Sequence, residues 1–206
     1  YIGPCGPADP EVSVLAVQTA DGKPMALLAN YSMHYFGASP ISADYNGDFA
    51  RIISKTLADG DESFIAMMSH GTSGDQQWQD YANPRESISR QQYAQSVADA
   101  ALRAYERVEF HDSVPLGVIQ RRVPIHFLRV DKELEAWADK ILAEMGGRDP
   151  RSRAEVYARE IMLLRQMRGA TPTLQAIRIG ELGIAAMPAE VAIRRETLPP
   201  RRVHDA

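Results

Sequence analysis

The period of apolar and polar positions changes several times along the chain, and each change predicts an element. Glu11 to Gln18 alternates loosely and predicts a strand. Asp21-Gly22 follows, a pair suited to the left-handed conformations of a tight hairpin. Pro24 to Tyr35 predicts a more buried partner strand, because Met25, Ala26, Leu27, Leu28 and Ala29 run without a polar break. The spacing then turns helical: Phe49, Ile52, Ile53 and Leu57 share one face of a helix over Asp44–Leu57, with Ser42 or Asp44 able to cap it. Phe64 to Met68 is a short apolar strand. Ser87 to Val108 predicts a second helix, on Ala94, Val97, Ala98, Ala101, Leu102 and Tyr105.

The second half keeps the same mixture. Leu116/Val118 and Val123/Ile125/Phe127 have period two, so Leu116–Val130 predicts one long strand or two short ones, with Pro124 marking an edge or a bulge. Leu134, Trp137, Ile141 and Met145 line one helix, and Val156, Ile161, Leu164 and Met167 line another. Gly146-Gly147-Arg-Asp-Pro150 breaks them. Leu174–Ile179 and Gly183–Met187 predict a hairpin around Gly180-Glu181. The class is mixed α/β: a layered sheet with flanking helices and a helical excursion near 131–168.

Composition narrows the picture. The 206 residues are 45% hydrophobic and 24% charged, enough for one sizeable core, so a single domain over 1–206 is expected. The formal charge of −4 gives no footprint for nucleic acid; Arg121-Arg122, Arg194-Arg195 and Arg201-Arg202 are short basic pairs of the kind found on solvated surfaces. Cys5 is the only cysteine, which excludes an intrachain disulfide and a Cys-based zinc knuckle. No apolar run approaches the roughly 20 residues needed to span a bilayer. The chain opens at Tyr1, runs into Gly3-Pro-Cys-Gly-Pro7, and closes on Leu198-Pro-Pro-Arg-Arg-Val-His-Asp-Ala206. These loop-like ends lead us to expect a domain incomplete at both.

Candidate chemistry gathers between Asn30 and Asp80, where three polar, glycine-punctuated segments each close an apolar stretch. His34 follows a strand, where open sheets place ligands, and a neutral imidazole suits zinc. The plainer reading is a part-buried histidine bonded to a loop. Ser69-His70-Gly71-Thr72-Ser73-Gly74-Asp75 also follows a strand. It reads as an oxyanion or phosphate cradle, as a Ser73 nucleophile assisted by His70, or as an ordinary strand-to-helix turn. It matches neither GxSxG nor a P-loop. Asp44 reads as a helix cap or as a carboxylate that orients His34. Glu190 reads as solvated surface or, following a buried strand and Pro188, as a group turned into the site.

Taken in order, Asp9-Pro-Glu-Val12 with Asp21-Gly22, Asn30-Tyr-Ser-Met-His34, Ile41-Ser-Ala-Asp44 with Gly47, Gly74-Asp75 and Pro188-Ala-Glu190 resemble the neutral/alkaline non-lysosomal ceramidase family. The resemblance is strong from Asp9 to about Asp80, thin through the helices, and returns near Ile179–Val191. The family holds one zinc on two histidines, a glutamate and a tyrosine. The resemblance implies that His34 is the second histidine and Glu190 the glutamate. The family's other histidine and its tyrosine fall outside the region matched by this chain. The family also carries a serine two residues past Gly-Asp, in a Gly-Asp-Val-Ser-Pro setting. Here Gln77 stands at that position, which argues against ceramide itself as substrate.

The resulting expectation is a zinc-dependent amidohydrolase with His34 and Glu190 on the metal in the intact protein; these two ligands alone make a weak, open site, so this chain by itself is expected to bind zinc poorly or not at all. Asp75 assists proton transfer or positions its loop, and Gln77 orients the substrate. Gly74, Trp78 and Tyr81 line a place for a small-molecule or lipid-like substrate such as a sphingolipid. Two rivals stand beside it: a metal-free serine esterase using Ser73 and His70, and a non-catalytic module that binds a lipid or glycan. The resemblance further implies a periplasmic or extracellular setting.

Overall fold

The computed structural model describes residues 8–37, 39, 41–79, 88–127, 129–167 and 169–192. The chain is mixed α/β and divides into two compact units, one formed by 1–114 with 189–206 and the other by 115–188.

In the first unit, strand β1 (Val12–Gln18) pairs antiparallel with β2 (Pro24–Tyr31) through the Asp21-Gly22 turn, where Gly22 takes a φ of 86°. Strand β3 (Ile65–His70) lies parallel to β2 on its other side. A parallel pair needs a crossover, and helix α1 (Asp44–Ala58) supplies it. Helix α2 (Arg90–Tyr105) follows β3, opened by a full capping box in which Ser89 and Gln92 satisfy each other's backbone N–H.

Alternation along β2 turns Leu27 and Ala29 to the helices. There they meet Phe49 and Ile53 of α1, Val97, Ala98 and Ala101 of α2, and Phe64. Met33, Tyr45 and Ala94 extend this layer toward the ends of β2 and β3. The buried Asp48 of α1 holds Arg90 at 2.6 Å and also pairs with Arg51, fixing the start of α2 against α1.

The second unit begins with β4 (Leu116–Arg122), which stops before Val123-Pro124 and resumes as the short β5 (Ile125–His126). The proline therefore splits the run into two strands, since it has no N–H for a continuous ladder. Helices α3 (Lys132–Met145) and α4 (Arg153–Gln166) form the expected excursion. Asp131 caps α3, Ser152 and Glu155 build a capping box on α4, and Gly146 ends α3 in the left-handed conformation. Ala138, Ala158 and Ile161 are buried where the two helices cross. A two-residue strand β6 (Gly169–Ala170) pairs with β5, and β7 (Thr173–Ile179) lies between β4 and β8 (Leu182–Ala186).

Two details differ from the sequence reading. Strand β2 ends at Tyr31 rather than Tyr35, which leaves His34 in a loop three residues beyond the sheet. Neither Ser42 nor Asp44 is the helix cap: Ala43 occupies that position without a side-chain bond. Ser42 Oγ accepts instead from the Asp44 N–H, and the Asp44 carboxylate turns back to a different task.

Candidate functional site

Strands β2 and β3 are parallel and in register to their last residues, Tyr31 opposite His70. Both loops that follow therefore leave the same end of the sheet, where α/β folds bring chemistry together. The first carries His34, Tyr35, Phe36 and Gly37; the second runs from Gly71 to Trp78. The His34 N–H donates to the Gln76 carbonyl at 3.2 Å and ties the two loops together.

Asp44 shapes the first loop. Its two carboxylate oxygens accept from the N–H groups of Phe36 and Gly37, each at 3.0 Å, and Oδ1 also takes the Tyr45 N–H. Asp44 is buried and has a φ of 49°, a conformation that aspartate tolerates better than most side chains. Its bonds to Phe36 and Gly37 act on the backbone just after His34 and so shape the loop that carries it.

The second loop starts where Gly71 passes Ser32. A Cβ on Gly71 would lie 2.3 Å from Ser32 Oγ, and Ser32 is held by Asp9 at 2.9 Å and by the Thr72 N–H at 3.1 Å. Further on, Gly74 donates its N–H to the Val191 carbonyl at 2.9 Å, and a Cβ there would meet the Glu190 carbonyl oxygen at 3.3 Å. These backbone contacts seat the segment after Pro188 against the loop and bring Glu190 to the site.

His34 Nε2 then lies 3.4 Å from Glu190 Oε1, and the Ser73 hydroxyl makes a long bond to the same oxygen at 3.4 Å. The His34 and Glu190 side chains are 38% and 52% exposed, so both can be reached from solvent. Ser73 is 1% exposed and its hydrogen bond goes to Glu190. His70 is engaged elsewhere: Asn46 Nδ2 lies 3.3 Å from its Nε2, and the Tyr35 ring packs on it at 4.7 Å. Burial lowers the His70 pKa; the charge of Glu190 opposes that shift, His34 adds to it, and Asp44 opposes it.

The other predicted residues take varied positions. Gly74 is at the contact with Glu190. Asp75 and Gln77 are exposed on the loop, and Gln76 donates to Asp75 at 3.3 Å. Trp78 is half-buried and stacks on Phe36 with ring centroids 4.6 Å apart, within the apolar cluster of Met33 and Tyr45. Tyr81 lies outside the described residues. Asn46 and Tyr35, which the sequence reading left aside, join the site through His70; a polar residue one turn into α1 was the available signal for Asn46.

Among the described residues no group of three His, Cys, Asp or Glu side chains is arranged to hold a metal ion. No described helix is long and apolar enough to cross a membrane.

No protein-family model and no curated protein matches the chain. Solved structures do. The chain is similar to a ceramidase solved in complex with C2, with a TM-score of 0.53 at 17% identity over 90% of this chain and 37% of that one. It is also similar to the neutral ceramidase from Pseudomonas aeruginosa, with a TM-score of 0.49 at 15% identity over 86% of this chain and 34% of that one. The fold is ceramidase-like, and the chain spans about a third of the length of the ceramidases it matches.

Proposed function

We propose that the chain carries part of the active site of a zinc-dependent hydrolase that cleaves an amide, or a related C–N or ester bond, in a lipid-like substrate. The observation that carries this reading is the 3.4 Å between His34 Nε2 and Glu190 Oε1. That separation is longer than a good charged hydrogen bond. It matches the roughly 3.3 Å between two donors on one tetrahedral zinc with bonds of about 2.0–2.1 Å. A neutral imidazole and a carboxylate are ordinary zinc donors, so the pair fits as half of a tetrahedral set.

When bound, zinc supplies Lewis acidity, polarising a carbonyl and acidifying water. The chain's own residues do the rest. Ser73 holds one Glu190 oxygen in place, as groups around a metal site commonly do. Asp44 fixes the turn after His34. Gln77, exposed on the loop, orients the substrate by donating to a carbonyl or accepting from an amide. Asp75 beside it positions the loop or moves a proton. The ceramidase-like fold and Trp78 of the second loop support the lipid-like substrate class.

The esterase reading is poorly served by a Ser73 that is buried and bonded to Glu190 and a His70 paired with Asn46. The direct test, on the full-length protein that carries this chain, is elemental analysis together with hydrolysis of a medium-chain N-acyl amide. The expected result is bound zinc and a rate abolished by chelation, with both lost in Glu190→Gln and His34→Ala. Full zinc content in His34→Ala, or a rate untouched by chelators, overturns the reading.

A further inference from the structure

His70 is the second histidine at this end of the sheet, and neither metal binding nor nucleophile activation uses it. It closes β3 opposite Tyr31, on the sheet face that meets the helices, and lies in the electrostatic field of both His34 and Glu190. Its ring is fixed on two sides: Tyr35 packs edge-on against it, and the Asn46 carboxamide meets Nε2 at 3.3 Å.

Asn46 makes this contact at a cost. Its Oδ1 is buried and has no hydrogen-bond partner among the described residues. Buried polar atoms are normally satisfied, and the exceptions concentrate where another demand sets the side chain's orientation. Here the demand is donation from Nδ2 to His70. A neutral imidazole has one donor and one acceptor, so a ring that accepts at Nε2 carries its proton on Nδ1. Burial favours the neutral ring. Nδ1 makes no bond to the protein among the described residues.

We propose that His70 is a catalytic residue of this site, whose Nδ1–H donates to the carbonyl oxygen of the substrate, and that Asn46 is the positioning residue that sets the tautomer. The assignment rests on His34 and Glu190 being the reacting centre. No proton is transferred: the neutral ring offers a fixed dipole to the oxygen on which negative charge grows. Such a preorganised donor, aimed at the oxygen where charge develops, is a large term in acyl-transfer catalysis. It also gives a site without the family's serine a second donor beside Gln77.

The test combines spectroscopy and kinetics on the full-length protein that carries this chain. Nitrogen-15 spectra of the histidine ring at pH 8 should show His70 as the Nδ1–H tautomer, and octanoate, a carboxylate acceptor, should shift that proton's resonance. With octanoyl 4-nitroanilide as substrate, His70→Ala should lower kcat about 100-fold with KM within about threefold and zinc content unchanged, the scale of losing one oxyanion donor. Asn46→Leu should mix the two tautomers and lower kcat by a smaller factor, about three- to tenfold. A wild-type ring in the Nε2–H form overturns the proposal, as does a resonance indifferent to octanoate or a His70→Ala kcat within twofold of wild type. The spectra need no turnover. An anilide left uncleaved by a protein whose His70 resonance responds to octanoate counts against the hydrolase reading and leaves the donor assignment supported.

Discussion

Ser73 and Glu190 meet across 117 positions of chain, the hydroxyl oxygen 3.4 Å from the carboxylate oxygen that also faces His34. In the zinc reading proposed above, this contact gives the buried serine a supporting part. Ser73→Ala removes one long hydrogen bond to a charged group, worth on the order of 1 kcal/mol, and alanine fits where serine did. Activity should fall about two- to tenfold with the fold intact. A serine nucleophile would instead cost several orders of magnitude in kcat. Steady-state kinetics on the single variant separates the two.

Asp44 accepts three backbone N–H groups, from Phe36, Gly37 and Tyr45. Asp44→Ala removes the acceptor of these three donors, of which the Tyr45 N–H is buried, and places a side chain less tolerant of positive φ at 49°. We expect a loss of about 2–4 kcal/mol in urea unfolding. Asp44→Asn keeps one acceptor oxygen and tolerates the same φ, so its loss should be about half as large. Equal losses in the two variants would show that the loop does not depend on these bonds.

Much of this arrangement was legible from the sequence, for physical reasons. Apolar period alone identifies β1, β2, α1 and α2, because each buries one face in a common core on Leu27, Phe49, Ile53 and Val97. Asp21-Gly22 and Gly180-Glu181 marked their hairpins because few residues suit such turns. The two-residue β6 was not legible, since Gly169-Ala170 carries no pattern and pairs only because β5 lies beside it. The role of Asp44 was hidden for a related reason. A carboxylate at a helix start looks like a cap, and only the return of the 34–37 loop reveals that it caps that loop. His34 and Glu190 stood out as candidates separately. Their approach depends on Gly74 donating to Val191, a long-range backbone contact without a local signature. Trp78 was read as the wall of a site, and its stacking on Phe36 shows that an aromatic near a site also serves the packing beneath it.

Gly71 offers a test of how tightly the second loop is set. Its missing Cβ would fall 2.3 Å from Ser32 Oγ and 3.1 Å from Asn30 Oδ1. Ser32 cannot simply turn away, because it donates to Asp9 and accepts from the Thr72 N–H. Gly71→Ala should therefore cost about 1–3 kcal/mol, as overpacking does, and should lower activity by displacing the loop that holds Ser73. Ser32→Gly in the same chain gives the alanine room, so the double variant should recover part of the loss. Additive losses in that double-mutant cycle would rule out the clash as the cause.

Burial lowers the His70 pKa in the folded protein below its ordinary 6.5. As pH falls through about 6.5 the unfolded chain takes up this proton before the folded one, so folding loses stability toward the lowered value and is insensitive to His70 above 6.5. The carboxylates with lowered pKa values act in a separate window. Asp61, bonded to Lys23 and Ser63, and Glu155, held at about 2 by Arg148 and backbone N–H groups, contribute above their ordinary values near 4 and lose that contribution as pH falls below them. A fall in stability specific to His70 as pH drops below 6.5 should thus be visible as the difference between wild type and His70→Gln, measured by urea unfolding at half-unit steps. Glutamine keeps a polar side chain toward Asn46 and cannot titrate, so its curve should be flatter there. Parallel curves would show that His70 takes its proton as readily in the folded chain as in the unfolded one, and that burial does not hold the ring neutral.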